Sequence, residues 1–98
     1  MRNMEPLKFG IIGCSRIAKR SVIPAIMKSE FAELEIIGST SDGKVKEFAK
    51  EFDCKKFGSY EDVFSDDSVD AVYISTPIGT HAELSNKATA AGKHVYVE

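Results

Sequence analysis

The sequence contains no tryptophan, only two cysteines and three prolines, and no apolar run long enough to cross a lipid bilayer. Cys14 and Cys54 lie far apart and lack the spacing of metal ligands, so we expect two free thiols and neither a disulfide framework nor a metal site. The N-terminal residues have no apolar core of the kind found in a signal peptide. These absences argue against a membrane protein or a secreted protein, and the expected location is the cytoplasm.

Neither sign of charge dominates, since 13 basic residues stand against 15 acidic residues and the formal net charge is -2. Nucleic-acid binding proteins usually carry a marked excess of lysine and arginine. We therefore expect a small molecule as the ligand, with no nucleic-acid or membrane partner. The 98 residues are enough for one domain, and a domain of this size buries roughly 60 to 65% of its unfolded surface without needing a disulfide or a metal.

The most informative stretch is the apolar run Leu7 to Ile12 followed by Gly13-Cys14-Ser15-Arg16-Ile17-Ala18. The run predicts a buried strand, and the residues after it match the dinucleotide fingerprint G-x-G-x-x-G/A at its first and third small positions. Ser15 stands at the second position, where the backbone meets the pyrophosphate. Because the first N–H groups of a helix attract phosphate, this turn predicts a phosphate site. Small residues favour any strand-to-helix turn, and the motif alone leaves that alternative open.

Strand patterns alternate with helix patterns along the chain. The predicted strands are Leu7 to Ile12, Leu34 to Ser39, Lys55 to Phe57, Val69 to Ser75 and His94 to Val97. The first two predicted helices are Ser15 to Ser29, with a break near Ser21 to Ile23 caused by Pro24, and Asp42 to Phe52. A capping box at Ser59 to Asp62 predicts a short third helix. A second capping box at Thr80 to Glu83 begins the fourth helix, which Gly92 ends. The alternation predicts a doubly wound parallel α/β sheet with strand order 3-2-1-4-5.

In a doubly wound sheet, ligands bind beyond the carboxyl ends of the strands, where the winding reverses beside the first strand. Three predicted loops meet there and supply the predicted cofactor-binding residues Gly13, Cys14, Ser15 and Arg16, then Ser39, Thr40 and Ser41, then Ser75, Thr76 and Pro77. We expect Cys14 to act mainly as a small filler in its turn. The strand before the fingerprint and the helix after it favour a dinucleotide as the ligand.

The segment after the second strand bears on which dinucleotide is preferred. NAD-binding proteins usually place a carboxylate there, which accepts both ribose hydroxyls and repels the 2′-phosphate of NADP. Here the segment reads Ser39-Thr40-Ser41, and Lys44 lies near the start of the next helix. Asp42 could bind a ribose, but its place before Gly43 better suits that helix's N-cap. Hydroxyls and a lysine accept a phosphate, so the expected cofactor is NAD(P) with a slight preference for NADP.

Four stretches, in this order and at this spacing, resemble the N-terminal cofactor domain of the glucose-fructose oxidoreductase and inositol dehydrogenase (Gfo/Idh/MocA) family. They are Phe9 to Ala18, Ser59 to Asp62, Asp70 to Pro77 with His81, and Ala91 to Glu98. The resemblance implies a Rossmann domain at residues 7–98, after a flexible lead-in at residues 1–6. It also implies an oxidoreductase that transfers hydride between NAD(P) and a hydroxyl or carbonyl group of a sugar, cyclitol or sugar nucleotide.

The same resemblance implies roles for single residues. It places Gly13, Ser15, Arg16 and Ile17 at the pyrophosphate, Ser75, Thr76 and Pro77 at the nicotinamide ribose, and His81 and Glu98 at the nicotinamide end. Family members carry a lysine just after the glutamate that ends the fifth strand, and a second domain that supports the substrate. Since the sequence ends at Glu98, we expect an incomplete cofactor domain with no catalytic residue and no turnover of its own. A sugar or polyol substrate is expected only with the second domain.

Two other functions remain open on the same residues. A non-catalytic nucleotide-binding or redox-sensing module would keep the fingerprint without needing the lysine or a second domain. A doubly wound domain without any dinucleotide would use Gly13 to Ala18 only as a tight turn. The fifth strand is also expected to be an uncovered edge, which predicts self-association into a homo-oligomer.

Overall fold

The computed structural model describes residues 5–97 and shows a five-stranded sheet of order β3-β2-β1-β4-β5, in which each adjacent pair is parallel. The strands are β1 (Leu7–Ile12), β2 (Ala32–Gly38), β3 (Phe57–Gly58), β4 (Ala71–Ile74) and β5 (His94–Val97). The strand order confirms the doubly wound fold predicted from the alternation of patterns. β1 lies in the centre of the sheet, and the carboxyl ends of β1, β2 and β4 form the edge at which loops converge.

The helices follow the predicted order. They are a π-helical segment Ala18–Val22 that continues into α1 (Ile23–Lys28), α2 (Asp42–Glu51), α3 (Tyr60–Phe64), a 3-10 turn Ile78–Thr80, and α4 (His81–Ala90). The predicted break before Pro24 is confirmed as the change from π- to α-helical bonding between Val22 and Ile23. Proline has no N–H for the carbonyl one turn earlier, so the helix widens before it. Among the described residues, no helix is long and apolar enough to cross a membrane.

The sheet has an apolar layer on each face. One layer contains Ile11 with residues of α1 and α2, and the other contains Ile12 with residues of α3 and α4. Val63 of α3 sits directly on the sheet, because a Cβ built at Gly10 would lie 2.5 Å from its Cγ1 and one built at Gly38 would lie 2.6 Å from its Cγ2. The two glycines therefore bring α3, and the loop before it, close to β1 and β2.

Helix capping agrees with the sequence at α3 and differs at α2 and α4. The capping box at Ser59 and Asp62 is present with both of its hydrogen bonds. At α2 the expectation that Asp42 is the N-cap is wrong, because the Ser41 side chain accepts the N–H of Lys44 at 3.3 Å. At α4 the predicted capping box is also wrong, because the Thr80 hydroxyl bonds to the carbonyl of Pro77 and no side chain caps the helix.

Candidate cofactor site

A cavity of about 310 Å³ lies at the carboxyl ends of β1, β2 and β4. The loops after these strands line it, as the winding of the sheet predicts. The lining residues are Gly13, Cys14, Ser15, Ser39, Thr40, Ser41, Lys44, Tyr60, Ser75, Thr76 and Pro77. The structure therefore brings together most of the predicted cofactor-binding residues, and it adds Lys44 and Tyr60.

Gly13 makes the turn at the end of β1 possible. Its φ is +99°, which residues with a Cβ rarely adopt, and a Cβ built there would lie 2.9 Å from the carbonyl oxygen of Ser75 and 2.8 Å from Cγ2 of Thr76. The loop after β1 and the loop after β4 thus touch at the position of the missing side chain. A larger residue at position 13 would push the two walls of the cavity apart.

Ser15 caps the helical turn at Arg16 and Ile17, which leads into the π-helical segment Ala18–Val22. The N–H of Ala18 donates to the Ser15 hydroxyl at 3.0 Å, and the same hydroxyl is hydrogen-bonded to the Ser75 hydroxyl. Arg16 and Ile17 occupy the exposed first turn and are not among the cavity-lining residues. Because the first N–H groups of a helix have no carbonyl partner inside it, this turn offers donors to a diphosphate.

The loop after β2 supplies hydroxyls and a cation. Ser39 is buried and its hydroxyl accepts the N–H of Ser41 at 3.0 Å, while Ser41 caps α2 and so places Lys44 on the cavity wall. Within residues 5–97, the side chains that line this cavity include no carboxylate, and Asp42 is exposed outside it. The wall formed by this loop is therefore polar and carries one positive charge.

Two titratable groups in the cavity wall are held in their neutral forms. Burial raises the pKa of the Cys14 thiol, and a hydrogen bond with Ser39 and the charge of Lys44 act in the opposite direction. Burial also raises the pKa of Tyr60, with a smaller contribution from Cys14 and an opposing hydrogen bond with Thr40. Cys14 is half-buried and free, so its geometry fits the expected role of a filler in the turn rather than that of a nucleophile.

His81 and Glu98 complete the predicted set. The His81 ring lies outside the cavity lining, where its Nε2 is 2.8 Å from the carbonyl oxygen of Thr76. Glu98 lies outside the described residues. Sequence reasoning placed Lys44 near the site but missed Tyr60. The feature that could have predicted Tyr60 as a site residue is the short strand before Ser59. Because β3 pairs with β2, the first residue of α3 lies at the same edge of the sheet.

These residues fit a nicotinamide dinucleotide. Because Gly13 has no side chain, the turn stays open beside a helix N-terminus, where a pyrophosphate binds in this class of fold. The hydroxyls and Lys44 of the second loop suit a ribose or its phosphate. The cofactor would supply the hydride chemistry, and the residues of this chain would hold and orient it. No group of three or more His, Cys, Asp or Glu side chains in the described part of the chain is arranged to hold a metal.

The chain is similar to known proteins in both sequence and fold. The model of an oxidoreductase family with an NAD-binding Rossmann fold, Gfo/Idh/MocA, matches residues 7–98. A dTDP-3,4-didehydro-2,6-dideoxy-alpha-D-glucose 3-reductase of Saccharopolyspora spinosa is 34% identical over 94 residues, which are 96% of this chain and 28% of that protein. A D-xylose 1-dehydrogenase (NADP(+)) of Haloferax volcanii is 41% identical over 93 residues, which are 94% of this chain and 28% of that protein.

A solved structure gives the same result. The crystal structure of KijD10, a 3-ketoreductase from Actinomadura kijaniata in complex with NADP, superposes with a TM-score of 0.90 at 35% identity, over 95% of this chain and 30% of that one. The chain thus spans less than a third of the length of these relatives. The family match over residues 7–98, the strand order and the geometry of the turn at Gly13 agree with one another, and the chain belongs to the Gfo/Idh/MocA oxidoreductase family, of which it comprises the NAD(P)-binding Rossmann domain.

Proposed function

We propose that this chain is the cofactor-binding part of an enzyme that transfers hydride between NAD(P) and a hydroxyl or carbonyl group of a sugar, cyclitol or sugar nucleotide. The observation that carries the proposal is the contact between the glycine turn after β1 and the loop after β4, which forms the cleft that a dinucleotide needs. The relatives named above act on a sugar nucleotide and on D-xylose, which supports this substrate class.

We further propose that the chain prefers NADP to NAD as its cofactor. Lys44 and the hydroxyls of Ser39, Thr40 and Ser41 line the side of the cavity that follows β2, and no carboxylate lines the cavity among the described residues. In this class of fold the ribose of the adenosine half lies at the end of the second strand. A lysine there attracts a 2′-phosphate, whereas the carboxylate of an NAD-binding site would repel it. One relative is a dehydrogenase named for NADP, and KijD10 was crystallised with NADP, which supports the same preference.

Residue roles follow from these positions. Gly13 and the first turn of the helix after it would hold the pyrophosphate, with Arg16 at the exposed side of that turn. The segment from Ser75 to Pro77 would face the nicotinamide ribose. Cys14 would fill the turn, and Ile17 would lie beside the pyrophosphate. Glu98 lies outside the described residues, and the family resemblance alone would place it at the nicotinamide end. The chain supplies binding and orientation, and we place no catalytic residue in it.

The test is calorimetric titration of this chain with NADP+ and with NAD+. We expect saturable binding of both, tighter for NADP+, and loss of both in Gly13→Ala because the new Cβ meets the Ser75 carbonyl. Gly92→Ala is the matched control, since Gly92 also has a positive φ of +80° but lies before β5 at the opposite edge, with open space around its Cβ position. Absence of binding by the unmodified chain, or unchanged binding in Gly13→Ala, would refute the proposed function.

A further inference from the structure

The segment that follows β4 forms one wall of the cofactor cavity and depends little on the sheet for its shape. Its first residue extends the ladder, because the N–H of Ser75 donates to the carbonyl of Ile12 at 2.8 Å. The following residues leave the sheet and pass through the 3-10 turn Ile78–Thr80 into α4. Their conformation is therefore set by hydrogen bonds within the segment and by side chains that reach it from neighbouring elements.

Hydrogen bonds within the segment close the turn. The Thr80 hydroxyl donates to the carbonyl of Pro77 at 2.7 Å, and it is 2.6 Å from the Thr76 hydroxyl. Because the proton of Thr80 is engaged with Pro77, Thr76 is the donor between the two threonines. The Thr80 N–H also donates to the carbonyl of Pro77, at 2.9 Å. These bonds shape the turn itself but do not attach it to the rest of the molecule.

Two side chains attach this segment from outside. At its start, the Ser15 hydroxyl bonds to that of Ser75, which is 5% exposed, and Ser15 is itself held by the N–H of Ala18. At its other end, the ring of His81 reaches back to the carbonyl of Thr76 at 2.8 Å. A carbonyl oxygen can only accept, so Nε2 carries the proton and donates. A hydrogen bond from His81, the first residue of α4, thus holds the peptide group that joins Thr76 to Pro77.

We propose that His81 is a positioning residue, which fixes the wall at Thr76 and Pro77 in the shape that the nicotinamide half of the cofactor needs, and which does this without touching the cofactor. The inference rests on the proposed function. A preformed wall spares the free energy of ordering this segment when the cofactor binds. The effect is confined to the nicotinamide half, because the adenosine half lies across the cavity at the loop after β2.

The test compares NADP+ with 2′,5′-ADP, which contains only the phosphorylated adenosine half. In His81→Ala we expect NADP+ to bind about tenfold more weakly, equivalent to about 1.4 kcal/mol, with the affinity for 2′,5′-ADP unchanged. His81→Gln keeps an N–H donor for the Thr76 carbonyl and should restore most of the NADP+ affinity. His94→Ala is the matched control, because the other histidine is exposed at the start of β5 and should change neither affinity.

Hydrogen exchange of the Thr80 amide in the unliganded chain gives a second readout. We expect exchange to accelerate in His81→Ala, to be slowed again in His81→Gln, and to remain as in the unmodified chain in His94→Ala. Unchanged NADP+ affinity in His81→Ala, or an equal loss for NADP+ and 2′,5′-ADP, would overturn the proposal. If the unmodified chain binds neither ligand, the proposed function fails. The Thr80 amide still tests the anchor in that case, since unchanged exchange in His81→Ala would overturn it.

Discussion

The two edges of the sheet use their polar residues in opposite ways. At the edge formed by the amino ends of the strands, Lys93 is buried and its Nζ donates to the carbonyls of Asp66 at 2.8 Å and Val69 at 3.1 Å. Lys56 lies beside them and is paired with Glu35 at 2.6 Å and with Asp66. These two cations thus have partners within the chain.

The carboxyl edge differs in that its cavity-lining cation has no ion pair among the described residues. Lys44 forms no ion pair with another described residue and lines the cavity together with the hydroxyls of Ser39, Thr40 and Ser41. A group that is satisfied inside the chain adds to stability, whereas a group left facing a cavity can bind a ligand. Under the proposed function, one edge of this sheet therefore serves stability and the other serves binding.

The largest expected effect comes from removing the buried cation at the amino edge. Lys93→Met keeps an apolar stem of similar length but leaves the carbonyls of Asp66 and Val69 without their donor, so we expect the free energy of unfolding to fall by about 2 to 3 kcal/mol. Urea denaturation measures this loss. Lys87→Met is the control, since the ion pairs of Lys87 with Glu61 and Glu83 are exposed and contribute less than about 1 kcal/mol. Equal losses of stability in the two variants would contradict the proposed stabilising role of the amino edge. Weaker binding of NADP+ by folded Lys93→Met would contradict the separation of this edge from the binding site.

The reverse experiment changes the carboxyl edge. Lys44→Gln removes the positive charge from the cavity wall, so we expect NADP+ to bind about tenfold more weakly, or about 1.4 kcal/mol, while the affinity for NAD+ and the free energy of unfolding stay the same. Titration calorimetry with both cofactors measures the split. Lys46→Gln is the matched control, because Lys46 is also exposed on α2 but does not line the cavity.

A carboxylate in the same wall of the cavity should also lower the affinity for NADP+ relative to NAD+. In Thr40→Asp the new charge lies at the end of β2, where it can accept ribose hydroxyls and repel a 2′-phosphate. We expect the preference to shift toward NAD+. An unmodified chain that already prefers NAD+ by more than about tenfold, roughly 1.4 kcal/mol, would show that the proposed NADP preference is wrong.

The two cysteines report on the two edges separately. Cys14 lines the cavity, whereas Cys54 follows α2 at the amino edge, and burial raises the pKa of both thiols. Since the thiolate is the reactive form, alkylation by iodoacetamide should be slow for both at pH 7 and faster as the pH rises past 9. NADP+ at about four times its Kd should slow alkylation of Cys14 about fivefold and leave Cys54 unaffected, as followed by peptide mass spectrometry. Equal protection of both would indicate global stabilisation rather than occupancy of the cavity.

The smallest expected effect concerns the ion pairs at the amino edge. The Lys56 ammonium lowers the pKa of Asp66, helped by the Ser68 N–H and opposed by partial burial. A carboxyl whose pKa is lowered by folding stabilises the folded state above its unfolded pKa of about 3.9, and this contribution disappears as the pH falls through the lower folded value. We expect Asp66→Asn to be less stable by about 0.5 to 1 kcal/mol at pH 7, with the difference shrinking as the pH falls below the unfolded pKa of about 3.9 and through the lower folded pKa.

Urea denaturation across this pH range measures the effect. Asp67→Asn is the control, because Asp67 is the exposed neighbour of Asp66 and forms no such ion pair among the described residues. A difference between Asp66→Asn and the unmodified chain that persists unchanged at the lowest pH would show that Asp66 acts through packing rather than through its charge.

Local sequence predicted some elements well and others poorly, for identifiable reasons. β1 has the predicted bounds because an apolar run stands between Pro6 and Gly13, which both interrupt a strand. β3 is shifted toward Gly58 and only two residues long, and so short a strand carries almost no periodic signal. The cap of α4 was mispredicted because Thr80 bonds to Pro77 instead of its helix, a competition between local hydrogen bonds that sequence spacing does not reveal.

The sequence by itself determined the fold class, the order of the strands, the glycine turn and the three loops that form the site, because each depends on periodicity, turn residues and the handedness of strand-helix-strand connections. Tertiary structure alone decided which side chains face one another across the cavity. The approach of Tyr60 to Thr40, the bond between Ser15 and Ser75, and the burial of Lys93 between Asp66 and Val69 each join separate segments. Such contacts depend on how distant segments pack in three dimensions, and local sequence patterns do not reveal them.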